Sequence, residues 1–156
     1  MNFADSKTVN NPSFDLTVEK KMKMITGYFA VPADLQPFID SFWYAENSGP
    51  SSETSPWQYY LATGLVEIII HISPPYTHTG IIAGKKGDFP ESFLGGIHAG
   101  PVIFKMKGGC GMFGISCKPE MFITLFNLPI GELADDYTDL RSAFGKSADE
   151  LTERIQ

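Results

Sequence analysis

The stretch F-G-I-S-C-K-P-E-M-F-I-T-L-F-N-L-P-I-G-E-L-A-D-D-Y-T-D-L, from Phe113 to Leu140, constrains the fold more than any other part of the chain. It predicts a strand that passes into two short helices. Phe113 to Cys117 alternates briefly, as strands do. Pro119 falls where proline suits a first helical turn, because the N–H it lacks would be unbonded there anyway. Met121, Phe122, Leu125 and Phe126 recur at helical spacing and predict one buried face. Leu128-Pro129 ends that helix, since the residue before a proline is pushed out of the α region. Ile130, Leu133, Tyr137 and Leu140 then predict a second helical face.

Upstream, the pattern is one of short strands and turns. Aromatic residues at 13%, with 15 glycines and 11 prolines, favour that arrangement over a helix bundle. Leu65 to Ile72 is the clearest strand: Val66, Ile68, Ile70 and Ile72 share one face, and Leu65, Glu67, Ile69 and His71 the other. Ile39–Glu46, Ile81–Ala83 and Val102–Lys107 are further strands. Gly84-Lys-Lys-Gly87 reads as a tight turn, and Gly108-Gly-Cys-Gly111 as a hairpin turn into Met112–Cys117. Ser147-Ala-Asp-Glu150 has the form of a helix capping box, followed by Leu151 and Ile155 at helical spacing. The expected fold is mainly β with C-terminal helices (α+β), a small barrel or sandwich followed by a short helical arm.

Three segments resemble the sensor half of a group of AraC/XylS-type transcription regulators. They are the strand–Pro–helix–Leu-Pro–Glu-Leu order of Phe113–Leu140, the opening Pro37-Phe-Ile-Asp-Ser-Phe-Trp43-Tyr44, and the strand start Gly64-Leu-Val-Glu67-Ile68. Ala62-Thr63-Gly64 keeps only the glycine of the Pro-Asp-Gly-like turn common in the group. The resemblance covers residues 25–156 and implies a cupin-like barrel over 25–118 and a helical arm over 119–156, cut short at its C-terminal end. Residues 1–24 read as a loosely ordered extension, with Phe14–Val18 as a candidate edge strand and Met22 or Met24 as a candidate natural start. The implied role is non-enzymatic: effector sensing, homodimerisation, or both. DNA binding would belong to a helix-turn-helix half that follows. A net charge of −6 fits that division, because phosphates demand a basic surface.

Trp43, Tyr44, Trp57, Tyr59 and Tyr60 form a dense aromatic set around two expected strands. Such rings either line a small-molecule pocket or fill an ordinary core. The candidate ligand-binding residues are Trp43, Tyr59, Tyr60, Glu67, His71, Phe104 and Met106. Glu67, if it faces inward, needs either an internal hydrogen bond from a loop backbone or a polar ligand. Leu133, Tyr137, Leu140, Leu151 and Ile155 are the candidates for arm packing or a dimer seam, with closure of their own barrel as the other role.

No metal or cofactor is expected. His71, His78 and His98 lack a close His-x-His pair, and Glu67 and His71 lie roughly 13 Å apart along a strand, too far to share an ion whose ligands sit about 2 Å away. There is no G-x-S-x-G elbow, phosphate-binding glycine motif or H-E-x-x-H, and Ser116-Cys117 has no recognisable His/Asn partner. A stand-alone cupin-like metal enzyme and a ligand-free dimerisation module are the competing readings. The first 24 residues show no apolar signal segment and the chain no long apolar run. A cytoplasmic location with reduced Cys110 and Cys117, and no membrane contact, is therefore expected.

Overall fold

The computed structural model describes residues 23–156. The expected N-terminal extension, apart from its last two residues, and its candidate edge strand lie outside the described residues. The described chain runs β1 (Met24–Phe29), β2 (Ile39–Asn47), β3 (Gln58–Tyr60), β4 (Val66–Ser73), β5 (His78–Ile82), β6 (Lys85–Phe89), β7 (Ser92–Gly95), β8 (Val102–Lys105) and β9 (Gly111–Cys117). Then follow α1 (Pro119–Phe126), a 3-10 turn (Ile130–Leu133), β10 (Tyr137–Asp139), α2 (Leu140–Phe144) and α3 (Lys146–Ile155). The class is mainly β with C-terminal helices, as the sequence predicts. No described helix is long and apolar enough to cross a membrane.

Two antiparallel sheets form the body. One has the order β1-β2-β9-β4-β7-β10 and the other β3-β8-β5-β6. The central strand β4 is buried on both faces, which its near-continuous apolar run requires. Val66, Ile68 and Ile70 turn outward with Leu94, Ile115 and Cys117 to meet Met121, Phe122, Ile130, Leu140 and Ala148. Glu67 and Ile69 turn the other way and help line a cavity. On that side Ala45, Met106, Cys110 and Met112 form one apolar cluster, and Ile82, Phe89 and Phe93 another. The layers are therefore helices, larger sheet, smaller sheet, and β4 is shared by both interfaces.

Several local expectations are corrected. Ile130, Leu133, Tyr137 and Leu140 do not share a helical face. Residues Tyr137–Asp139 pair with Gly95–Phe93 as the edge strand β10. Lys85 and Lys86 are not turn residues: Ala83 and Gly84, both at positive φ, make the reversal, and Lys85 pairs back to Ile82. Gly108-Gly109-Cys110 turns the chain without making a hairpin, because β8 belongs to the smaller sheet and β9 to the larger. The capping box does not form. Gly145 is the N-cap of α3, which places Ser147 inside the first turn with no cap bond from its side chain. On α1 only Met121 and Phe122 are buried, whereas Leu125 and Phe126 are about half exposed, at 52% and 47%.

The five arm residues all pack against their own chain. Leu140 is fully buried, and Leu133, Leu151 and Ile155 pack against the same core. Tyr137 sits in the sheet with its ring 4.6 Å from that of Phe89. The end of α3 is tied to β4 as well: the Gln156 side-chain amide donates to the His71 carbonyl at 3.0 Å and to Glu91 Oε1 at 2.7 Å. Cys110 and Cys117 are free, buried thiols in different layers, and burial pushes them up to about 11 and about 12.

Candidate functional site: an aromatic cavity with a buried carboxylate

Between the two sheets lies a cavity of about 220 Å³. On β1 and β4 its wall comes from alternate residues, as a pleated sheet dictates, whereas β2 and β3 also contribute consecutive residues, Trp43–Ala45 and Gln58–Tyr60. Met24 and Thr26 come from β1, Trp43 and Ala45 from β2, Glu67 and Ile69 from β4, and Met112 from β9. From the facing side come Tyr59, Tyr60, Val102 and Phe104. Tyr28 and Tyr59, 77% and 67% exposed, stand at its rim.

Glu67 organises one end. Its side chain is buried, yet it accepts three hydrogen bonds, all from side chains. Tyr60 Oη–H donates to Oε1 at 2.5 Å, while Trp43 Nε1–H at 3.1 Å and Ser116 Oγ–H at 3.0 Å both donate to Oε2. The expected loop-backbone donor is replaced by residues from three strands. Burial raises the Glu67 pKa, and the three donors oppose that rise. Burial, with the adjacent carboxylate, holds the Tyr60 phenol above its ordinary range.

The Trp43 indole reaches Glu67 only because residue 114, its cross-strand neighbour, is glycine. A Cβ at Gly114 would collide with the Trp43 ring. Gly114→Ala is expected to destabilise the fold by about 1–3 kcal/mol through overpacking. Urea unfolding measures this loss, and a shift in indole emission reports the displaced ring.

A histidine pair sits further along. His71 Nδ1 lies 2.9 Å from the Glu91 carbonyl oxygen, and His71 Nε2 lies 2.8 Å from His78 Nδ1. A carbonyl only accepts, so the network assigns the His71 proton to Nδ1 and leaves Nε2 as an acceptor. His78 must then donate from Nδ1, which leaves its Nε2 a bare acceptor. Burial favours these neutral forms, lowering His71 and bringing His78 down to about 3. The His78 ring stacks on Phe89 with centroids 4.6 Å apart. A third histidine, His98, also lines the cavity. Its buried Nδ1 has no hydrogen-bond partner and lies 3.9 Å from Asp135 Oδ1.

Of the seven residues predicted to bind a ligand, the fold brings five to the cavity wall: Trp43, Tyr59, Tyr60, Glu67 and Phe104. His71 and Met106 are fully buried and do not line it. His71 lies behind His78, and Met106 packs into the cluster with Cys110 and Met112. Sequence reasoning missed His78, His98, Phe89 and Phe93 as wall residues. The alternation of β5, which buries His78, Gly80 and Ile82, was the available signal for the first of these. Among the described residues no group of three or more His, Cys, Asp or Glu is gathered to hold a metal ion.

Comparison with known proteins gives one match. No curated protein and no solved structure matches the chain. The family model described as "Domain of unknown function (DUF6597)" matches residues 28–139, which run from the cavity rim at Tyr28 to the end of β10. That span is more than two thirds of the 156 residues, and the chain belongs to the DUF6597 family.

Proposed function

We propose that this chain is the effector-sensing half of an AraC/XylS-type transcription regulator, its two sheets forming the cupin-like body of that group. The observation that carries the reading is the aromatic cavity built around Glu67. Cavities of this kind, mostly apolar with a few placed polar groups, are typical small-molecule sites. The layering supplies a route for the signal. Glu67 and Ile69 touch the cavity, while Val66, Ile68 and Ile70 of the same strand touch the C-terminal helices. A ligand that favours one seating of β4 shifts the helices toward the matching arrangement, by no more than its differential affinity for the two. Subunit pairing and DNA contact would be the outputs, the latter through a helix-turn-helix half outside these residues.

Thermal unfolding of the purified chain against a broad small-molecule library, with light scattering and metal analysis alongside, tests this. At least one small organic molecule is expected to raise Tm and shift the Trp43 indole resonance without turnover. Stoichiometric metal with turnover would establish the enzyme reading instead. A dimer that no compound stabilises would establish a ligand-free dimerisation module.

A further inference from the structure

The Glu67 end of the cavity is unbalanced in its hydrogen bonding. The donors beside Glu67 are not free for a guest: Tyr60 Oη–H and Trp43 Nε1–H are both spent on the carboxylate, as is Ser116 Oγ–H from behind. The carboxylate itself is left as an acceptor at that end, and the rest of the polar lining is the hydroxyls of Thr26, Tyr28, Tyr44 and Tyr59, the Gln58 amide and the imidazoles of His78 and His98. An ionised carboxylate has about four lone-pair sites, and Glu67 has three donors in place. His78 Nε2 is a second acceptor, left bare by the tautomer that His71 imposes.

Charge points the same way. Among the described residues no Lys or Arg lines the cavity, and none pairs with Glu67. A buried carboxylate without a cation is costly, and neutral donors offset only part of that cost. The rings of Trp43 and Tyr60, stacked with centroids 6.3 Å apart, both line the cavity beside Glu67. Aromatic faces attract cations through their quadrupoles. An anionic guest at this end would meet the Glu67 carboxylate with no Lys or Arg in the wall to offset it.

We propose that the cavity selects small aryl-alkyl amines in their protonated form, with the ammonium group on Glu67 and the aryl ring among Ile69, Phe93 and Phe104. This rests on the sensor reading and gives its effector a chemical class. Size agrees: an apolar cavity of about 150 Å³ takes benzene, and about 220 Å³ leaves room for a ring with a short side chain. Burial alone favours the protonated carboxyl, and an ammonium partner reverses that preference, so the guest supplies the charge that the wall lacks.

The test uses three probes of matched shape on the whole chain: phenethylamine, phenethyl alcohol and hydrocinnamate. Affinity is read by calorimetry and occupancy by the Trp43 indole resonance. Phenethylamine is expected to bind about tenfold or more tighter than the alcohol, with hydrocinnamate weakest. Glu67→Gln is expected to erase the preference for the amine over the alcohol. If that variant does not fold, the wild-type series decides alone. Equal or tighter binding of the alcohol or hydrocinnamate at Trp43 overturns the amine inference and leaves the sensor reading standing. Amine preference that survives in folded Glu67→Gln overturns the assignment to Glu67. Failure of all three probes to move the Trp43 resonance overturns the aryl-alkyl class altogether, and the broad library then decides the sensor reading separately.

Discussion

Acidification from pH 6.5 toward pH 3 is expected to destabilise this domain steeply, and His78 is expected to be a principal cause. His78 is 6% exposed, stacked on Phe89, and bonded through Nδ1 to His71 Nε2. Protonating the pair adds charge in an apolar layer, and protonating His71 removes the lone pair that accepts from His78. The His78 pKa falls from its ordinary value of 6.5 to about 3 in the folded state. The native state therefore binds fewer protons than the unfolded state across that window. Its contribution is fully present above pH 6.5 and is lost as pH falls toward 3, at up to about 1.4 kcal/mol per pH unit. His71 acts in the same direction, although the Glu91 carbonyl and carboxylate oppose the lowering.

Glu67 acts with the opposite sign. Its folded pKa is raised, so its contribution is present below the ordinary value of 4.5 and is lost as pH rises through the folded value. It offsets part of the histidine slope in mild acid. Urea unfolding at half-unit pH steps separates the two. His78→Gln keeps a side-chain donor for His71 Nε2 and is expected to flatten the acid limb by about 2 kcal/mol or more over two pH units. Parallel wild-type and variant curves would show that the acid sensitivity lies elsewhere.

The parts of the fold that were legible in the sequence are those with enough residues to show a period. Leu65–Ile72 is long and apolar, and its two faces separate in the structure as its alternation prescribes. β6, by contrast, reads Lys-Lys-Gly-Asp-Phe and is exposed for four of its five residues, so no buried face marks it. β10 has three residues, and Ile130, Leu133, Tyr137 and Leu140 happen to fall at spacings that also fit a helix. The Gly108–Gly111 turn announces a reversal, but glycines do not say which sheet receives the next strand.

The site shows the same division. The Glu67 carboxylate on an inward face was visible from alternation, but two of its partners lie 24 and 49 residues away and were set by sheet register. The spacing of His71 and His78 in the sequence shows only that they lack a close His-x-His pair. Their actual relation, ring to ring, depends on β4 and β5 facing each other across the sandwich.

Leu140→Ala is expected to cost about 2–5 kcal/mol, among the largest losses any single truncation in the C-terminal segment can cause. Leu140 begins α2 immediately after β10, and its side chain is fully buried against the outward face of the larger sheet. Removing it leaves a space that α2 has little freedom to close. β10, anchored to β7 on one side, and the bond from Ser142 N–H to Asp139 Oδ1 both hold the start of that helix in place. A residue in a dimer seam would behave differently. Its truncation would leave the monomer intact, and the loss would shrink or grow with protein concentration. Urea unfolding of wild type and Leu140→Ala at two widely separated protein concentrations makes the distinction. The expected loss is the same at both, because the side chain is enclosed by its own chain. Leu125→Ala on the exposed side of α1 is the comparison, with an expected change within about 0.5 kcal/mol. A concentration-dependent loss at Leu140 would require the helical layer to open and exchange between subunits, which the packing of α2 against β7, β10 and α3 opposes.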